Sequence, residues 1–389
     1  MSSAKRDRSL DIFKGLLVIM MTCCHVSQFF GDHDAHPLLN SLETAANVLV
    51  FPGFVLAFGA AAQLAYYRKP FKKALPGMLR MVARSLAAFY LSGIAFRVIR
   101  EGKPFGASAV QRILLLQDLP GWSEFLAAFA VIGVLSILLY APVKATQGRP
   151  WLLIPAGLVC LLMCFLPYQS IRHPLLRLLA GTTAYACFPA LQYLPYFLIG
   201  VYYARGGKSK WSLPALLFLM TALGLLRWRQ LGYLPTRFPP DIGWVLLPAV
   251  GLGLLLALSR VFDRFQVKRF PSLAPRFVLS SLGRNSLFYL LCGNLAIFAL
   301  AGRKAAPRLR ARGWGLFSYS ISTPLGVLLW TLALLLAIAF MAGLVRRDKI
   351  SSAAPIEAET RMKAEQGLTQ GDGMFKMALD INQKGENIE

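Results

Sequence analysis

The residues best equipped for chemistry lie in the first apolar run. Arg8-Ser9-Leu10-Asp11-Ile12-Phe13-Lys14-Gly15 leads into an uncharged stretch that reaches His25. Ionisable groups inside a membrane-length run are costly and mark a functional-site hypothesis by default. Lys14 and His25 are eleven residues apart. On a helix that is three turns plus about 20°, so both point from one face, roughly 16 Å apart along the axis. Asp11 shares the stripe three residues before Lys14, where a carboxylate pairs with the ammonium. His25 is the best general base in the chain. The plainer reading makes Asp11 and Lys14 interfacial anchors and His25 a packed histidine; the residues alone leave both open.

Other candidates carry less. His33 and His36 lie in the acidic loop Asp32-His33-Asp34-Ala35-His36, which reads as a solvated exterior loop, and no metal site is expected. Arg80 opens an apolar run and Arg84 lies inside it. Arg284, Asn285 and Ser286 stand at the edge of another, where anchoring to lipid headgroups competes with function. The six cysteines fall within or beside apolar runs without paired ligand spacing and read as free thiols.

The elements that position these residues follow from composition. The chain has 389 residues, 56% hydrophobic and 15% charged, against about 45–50% and about 25% in soluble domains. That argues against a soluble enzyme. The net charge of +24 would suggest nucleic-acid binding in a soluble chain. Here most of it sits in short loops, so the partner is the lipid bilayer and no nucleic acid is expected. Apolar runs of roughly 17–25 residues, about ten of them, match bilayer length: 10–30, 45–67, 79–99, 122–143, 151–167, 185–204, 211–227, 242–262, 278–301 and 315–345. The expected fold class is all-α, a polytopic membrane helical bundle of about ten transmembrane helices.

Residues 1–350 form one membrane domain in this reading, and 351–389 a polar, flexible cytoplasmic tail. Lys5, Arg6 and Arg8 precede a run that lacks a small-residue cleavage site and is interrupted by Lys14, so it reads as a retained first helix. Basic residues gather on the N-terminal side, in the stretches Arg68–Arg80, Arg205–Lys210, Arg260–Arg276 and Arg346–Lys349. Both termini are therefore expected in the cytoplasm of a multi-pass inner-membrane protein. The five basic residues between Arg303 and Arg312 run against this count.

The segment from Asp11-Ile12-Phe13-Lys14-Gly15 to His25 resembles the first helix of acyltransferase family 3, integral membrane O-acyltransferases. Lys14, where the family usually has Arg, looks most like its fucose 4-O-acetylase-like branch. Phe51-Pro52-Gly53-Phe54, Arg80-Met81-Val82-Ala83-Arg84, Tyr196-Phe197-Leu198-Ile199-Gly200, Arg237-Phe238-Pro239-Pro240 and Ser281-Leu282-Gly283-Arg284-Asn285-Ser286 resemble further family landmarks in order. The chain departs from the pattern at Pro52, where Ser is usual, and at Cys292, where many members have His.

The resemblance implies transfer of an acetyl or succinyl group from cytoplasmic acyl-CoA, a co-substrate with no bound cofactor. The acceptor would be a hydroxyl of a sugar or an exopolysaccharide such as cellulose. His25 would be the base, and Lys14 with Arg80 or Arg84 would hold the donor. Asp11, Arg284, Asn285 and Ser286 complete the expected donor- or substrate-binding set. The competing classes are a transporter or flippase of an envelope precursor, and a noncatalytic partner in a polysaccharide synthase complex.

Overall fold

The computed structural model describes residues 7–104, 106–205, 212–264, 275–302 and 322–343. Every regular element among them is helical: α1 (Arg8–Phe30), α2 (Pro37–Ala62), α3 (Phe71–Ala95), α4 (Ala107–Leu114), α5 (Glu124–Leu138), α6 (Tyr140–Ala145), α7 (Leu153–Leu162), α8 (Pro174–Ala180), α9 (Ala190–Ala204), α10 (Ser212–Leu231), α11 (Ile242–Leu246), α12 (Ala249–Arg264), α13 (Pro275–Arg284), α14 (Ser286–Leu300) and α15 (Pro324–Gly343). One wide π turn prolongs α2 to Tyr67, and another prolongs α3 to Arg100. By contacts the chain divides into two compact units, Met1–Ala333 and Leu334–Glu389. The tail expected over 351–389 lies outside the described residues.

Among the described residues five helices are long and apolar enough to cross a bilayer: Arg8–Phe30, Pro37–Tyr67, Phe71–Arg100, Ile242–Arg264 and Pro324–Gly343. Glu124–Leu138 and Tyr140–Gly148 add a sixth if their 61° bend is one broken span. These are the parts of a helical membrane bundle. Other apolar runs are shorter or broken as helices. The run expected at 278–301 is two helices, α13 and α14, parted at Asn285. That expected at 185–204 is helical only from Ala190, because residues 181–189 form a loop. At 1.5 Å per residue the 15 residues of α14 reach about 22 Å, short of the roughly 30 Å hydrocarbon core. Large apolar side chains such as Leu91, Leu138, Leu162, Phe218 and Leu254 are exposed, as a lipid-facing surface requires.

Helix α1 begins where Asp7 accepts the Leu10 amide at 3.3 Å, and it packs against α2, α12, α13 and α14. Two crossings are drawn tight by glycine. A Cβ on Gly15 would collide with the Leu279 carbonyl, and one on Gly283 with the Asp11 carbonyl. Helices α2 and α9 meet in the same way through Gly59 and Gly200. Small residues that let backbones touch are the means by which membrane helices pack without a hydrophobic driving force. The first crossing joins the Asp11–Gly15 segment directly to the Ser281–Ser286 segment.

Candidate functional site

The site is built around the C-terminal half of α1. Nδ1 of His25 lies 2.9 Å from Oδ1 of Asn294 on α14. The Asn294 amide nitrogen donates to the Trp122 carbonyl at 3.0 Å and to the Ser92 hydroxyl at 3.4 Å. A carbonyl only accepts, so this network fixes the amide's orientation and turns its oxygen to the imidazole. His25 therefore carries its proton on Nδ1, and Nε2 keeps its lone pair. A neutral imidazole oriented by a third group is the arrangement a general base needs.

His25 lines a cavity of about 260 Å³. Along one wall Trp122 donates its indole N–H to Gln28 at 2.7 Å, and Gln28 donates to Glu43 at 2.9 Å. Asn47, one turn after Glu43 on α2, receives the Arg237 guanidinium at 2.8 Å. Arg237 lies over the Phe188 ring at 5.0 Å and the Phe238 ring at 4.6 Å. Phe188 itself stacks on Phe51 at 4.0 Å. Glu124 contributes a carboxylate at the start of α5.

Three loops deliver these side chains. Trp122 has φ of 58°, the left-handed region, which for a bulky residue costs of order 1–3 kcal/mol and persists only where surroundings enforce it. The enforcement is visible: Ser123 bonds Ser92 at 2.7 Å, and the Trp122 carbonyl is held by Asn294. Asp241, which caps α11 through the Gly243 amide at 2.7 Å and pairs with Arg227 at 3.0 Å, anchors the loop carrying Arg237 and Phe238. Between the wall residues Ala186 and Phe188, the Cys187 thiol is buried.

The expected residues divide. Lys14 pairs with Asp11 at 2.8 Å, as their spacing implied, but neither lines the cavity. Arg80 and Arg84 are exposed on α3, which packs against α4, α5 and α14. Arg284 is exposed and Asn285 turns back to the Ser281 carbonyl at 3.2 Å. Neither they nor Ser286 reaches the cavity. His33 is held by Asn40 at 2.9 Å, the Ser27 carbonyl at 3.2 Å and Glu43 at 3.5 Å. Among the described residues no group of three or more His, Cys, Asp or Glu side chains is arranged for a metal ion. All six cysteines are free.

Phe51, Phe54, Arg237 and Phe238, from two of the segments singled out in the sequence, do line the cavity with His25. Sequence reasoning missed Gln28, Glu43, Asn47, Trp122, Glu124 and Asn294. Local signals existed for several of them: Glu124 is an ionisable group in the apolar run 122–143, and Gln28, Asn47 and Asn294 are amides in apolar runs. Comparison with protein-family models, with curated proteins and with solved structures gives no match.

Chemically, the cavity is lined by the oriented imidazole of His25, a cation at Arg237, a carboxylate at Glu124, and aromatic side chains. That combination suits proton removal from a hydroxyl in a shielded space.

Proposed function

We propose that the protein is a membrane-bound O-acyltransferase. It moves an acetyl or succinyl group from cytoplasmic acyl-CoA to a hydroxyl of a sugar or surface polysaccharide, with cellulose one candidate. The observation that carries this reading is the oriented His25: its Nδ1 is hydrogen-bonded to Asn294, and the residue lines the cavity that Arg237 and Glu124 also line. The likeness of the first-helix segment to acyltransferase family 3 supplies the reaction class.

In this mechanism His25 Nε2 takes the proton from the acceptor hydroxyl as its oxygen attacks the thioester carbonyl. The carbon–sulfur bond breaks, and the imidazolium returns the proton to the departing CoA thiolate. Lys14, held by Asp11, and the cations Arg80, Arg84 and Arg284, with Asn285 and Ser286, would bind the donor's phosphates at the cytoplasmic end. Eleven residues of helix put roughly 16 Å between Lys14 and His25. An extended pantetheine arm bridges such a gap, and two groups acting on one atom do not. The same proposal includes an inner-membrane location, cytoplasmic termini, an outward-facing cavity, and ten passes completed by the shorter and broken helices.

The test is mass spectrometry of extracellular and envelope polysaccharide from cells with the wild-type protein, with His25→Ala, and with none. Ester-linked acyl groups are expected only with the wild type. An identical ester pattern in all three, with polymer amount or export changed in the deletion, would overturn the transferase reading in favour of transport or assembly.

A further inference from the structure

Two oppositely charged side chains line the cavity without meeting. Glu124 and Arg237 both belong to its wall, and Arg237 is the cation that acts on the Glu124 carboxylate. Among the described residues they form no ion pair with each other. Glu124 Oε2 and Arg237 Nε are each buried with no hydrogen-bond partner. Arg237 is already tied through Nη1 to Asn47 and sandwiched by Phe188 and Phe238, so it is not free to swing to the carboxylate. A buried acceptor and a buried donor left unsatisfied are expensive unless something fills them.

Both residues line the same cavity, and a hydroxyl, which donates and accepts, can serve a carboxylate and a guanidinium together. The cavity, about 260 Å³, falls just below the roughly 300–1,000 Å³ of drug-sized sites, which suits one ring bearing several hydroxyls. We propose that Glu124 and Arg237 are acceptor-positioning residues, a clamp in which Glu124 accepts from and Arg237 donates to hydroxyls of one polyol ring. The clamp turns a further hydroxyl toward His25. Trp122 and the Phe188–Phe238 pair supply the apolar faces that cover the ring's C–H surface. The proposal rests on the acceptor half of the transferase reading and assigns it residues.

The experiment uses the full chain in lipid nanodiscs. Binding of methyl β-glucopyranoside is followed by tryptophan fluorescence, with Trp122→Phe marking the signal that comes from the cavity. Methoxycyclohexane, a ring of similar size without the hydroxyls, is the control. Saturable binding of the glucoside but not of methoxycyclohexane is expected. Affinity should fall at least tenfold in Glu124→Ala and severalfold in Arg237→Lys. Equal binding of the two probes, or wild-type affinity in folded Glu124→Ala, overturns the clamp. Should Glu124→Ala not fold, Arg237→Lys decides by the same criterion.

Release of CoA from acetyl-CoA and succinyl-CoA is measured on the same preparations. Glucoside binding that depends on Glu124, without His25-dependent CoA release, would sink the transferase reading and leave the clamp standing. The reverse pattern would sink the clamp alone.

Discussion

Replacing Asn294 with Leu keeps the side chain's size and removes every bond that orients His25. The Trp122 carbonyl loses its donor, and a stranded buried carbonyl costs about 1–3 kcal/mol, while the lost His25 bond adds about 0.5–1.5 kcal/mol. A destabilisation of about 2–4 kcal/mol follows, read as a lowered midpoint in a thermal scan of the purified protein. The chemical consequence is separate. Without Asn294 nothing commits the imidazole proton to Nδ1, and transfer should drop by about 10²–10⁴-fold, the usual worth of a positioned base. Because the two residues act as a unit, the double variant with His25→Ala should be no slower than His25→Ala alone. The chain has only four histidines, so ¹⁵N imidazole spectra resolve the tautomer directly: the wild-type His25 signal should report an Nδ1–H. An Nε2–H tautomer, or wild-type activity in folded Asn294→Leu, refutes the reasoning.

At the α1–α13 crossing, Gly283→Ala forces a methyl against the Asp11 carbonyl and should destabilise by about 1–3 kcal/mol. Gly293→Ala, whose Cβ meets nothing within 4 Å, should be neutral or gain up to about 1 kcal/mol from helix propensity; equal thermal midpoints for the two would refute the crossing. For Asp11→Asn, the expectation is a larger loss than for the double variant with Lys14→Met, since the single change strands the ammonium now 2.8 Å from Asp11. Just beyond α3, burial opposes ionisation of Glu101, but hydrogen bonds from Arg97 and Lys103 outweigh it and hold the carboxyl below its usual range. The stability this gives is present above the unfolded value near 4.3 and lost as pH falls through the folded value. Glu101 is partly exposed, so the effect is below about 1 kcal/mol; unfolding scans from neutral to acid pH should lose that part of their slope in Glu101→Gln, and an unchanged slope would contradict it.

The sequence by itself determined the class of molecule. Continuous apolar runs of bilayer length with few charges read as helices, which satisfy every backbone polar group within one segment. It also determined the Asp11–Lys14 pair, which depends only on spacing along one helix. The separation of α13 from α14 at Asn285 was not legible, because it falls in a stretch whose hydropathy alone reads as continuous.

The site itself was decided by tertiary structure. His25 has its meaning from Asn294, 269 positions away in the chain, and from Trp122 and Arg237, whose loops are held by Ser92 and Asp241. No periodicity links residues so distant; only the packing of α1 against α14, and the loops folded over that end, brings them within hydrogen-bonding reach. Sequence spacing tells which residues share a helix face, and packing alone decides what that face meets.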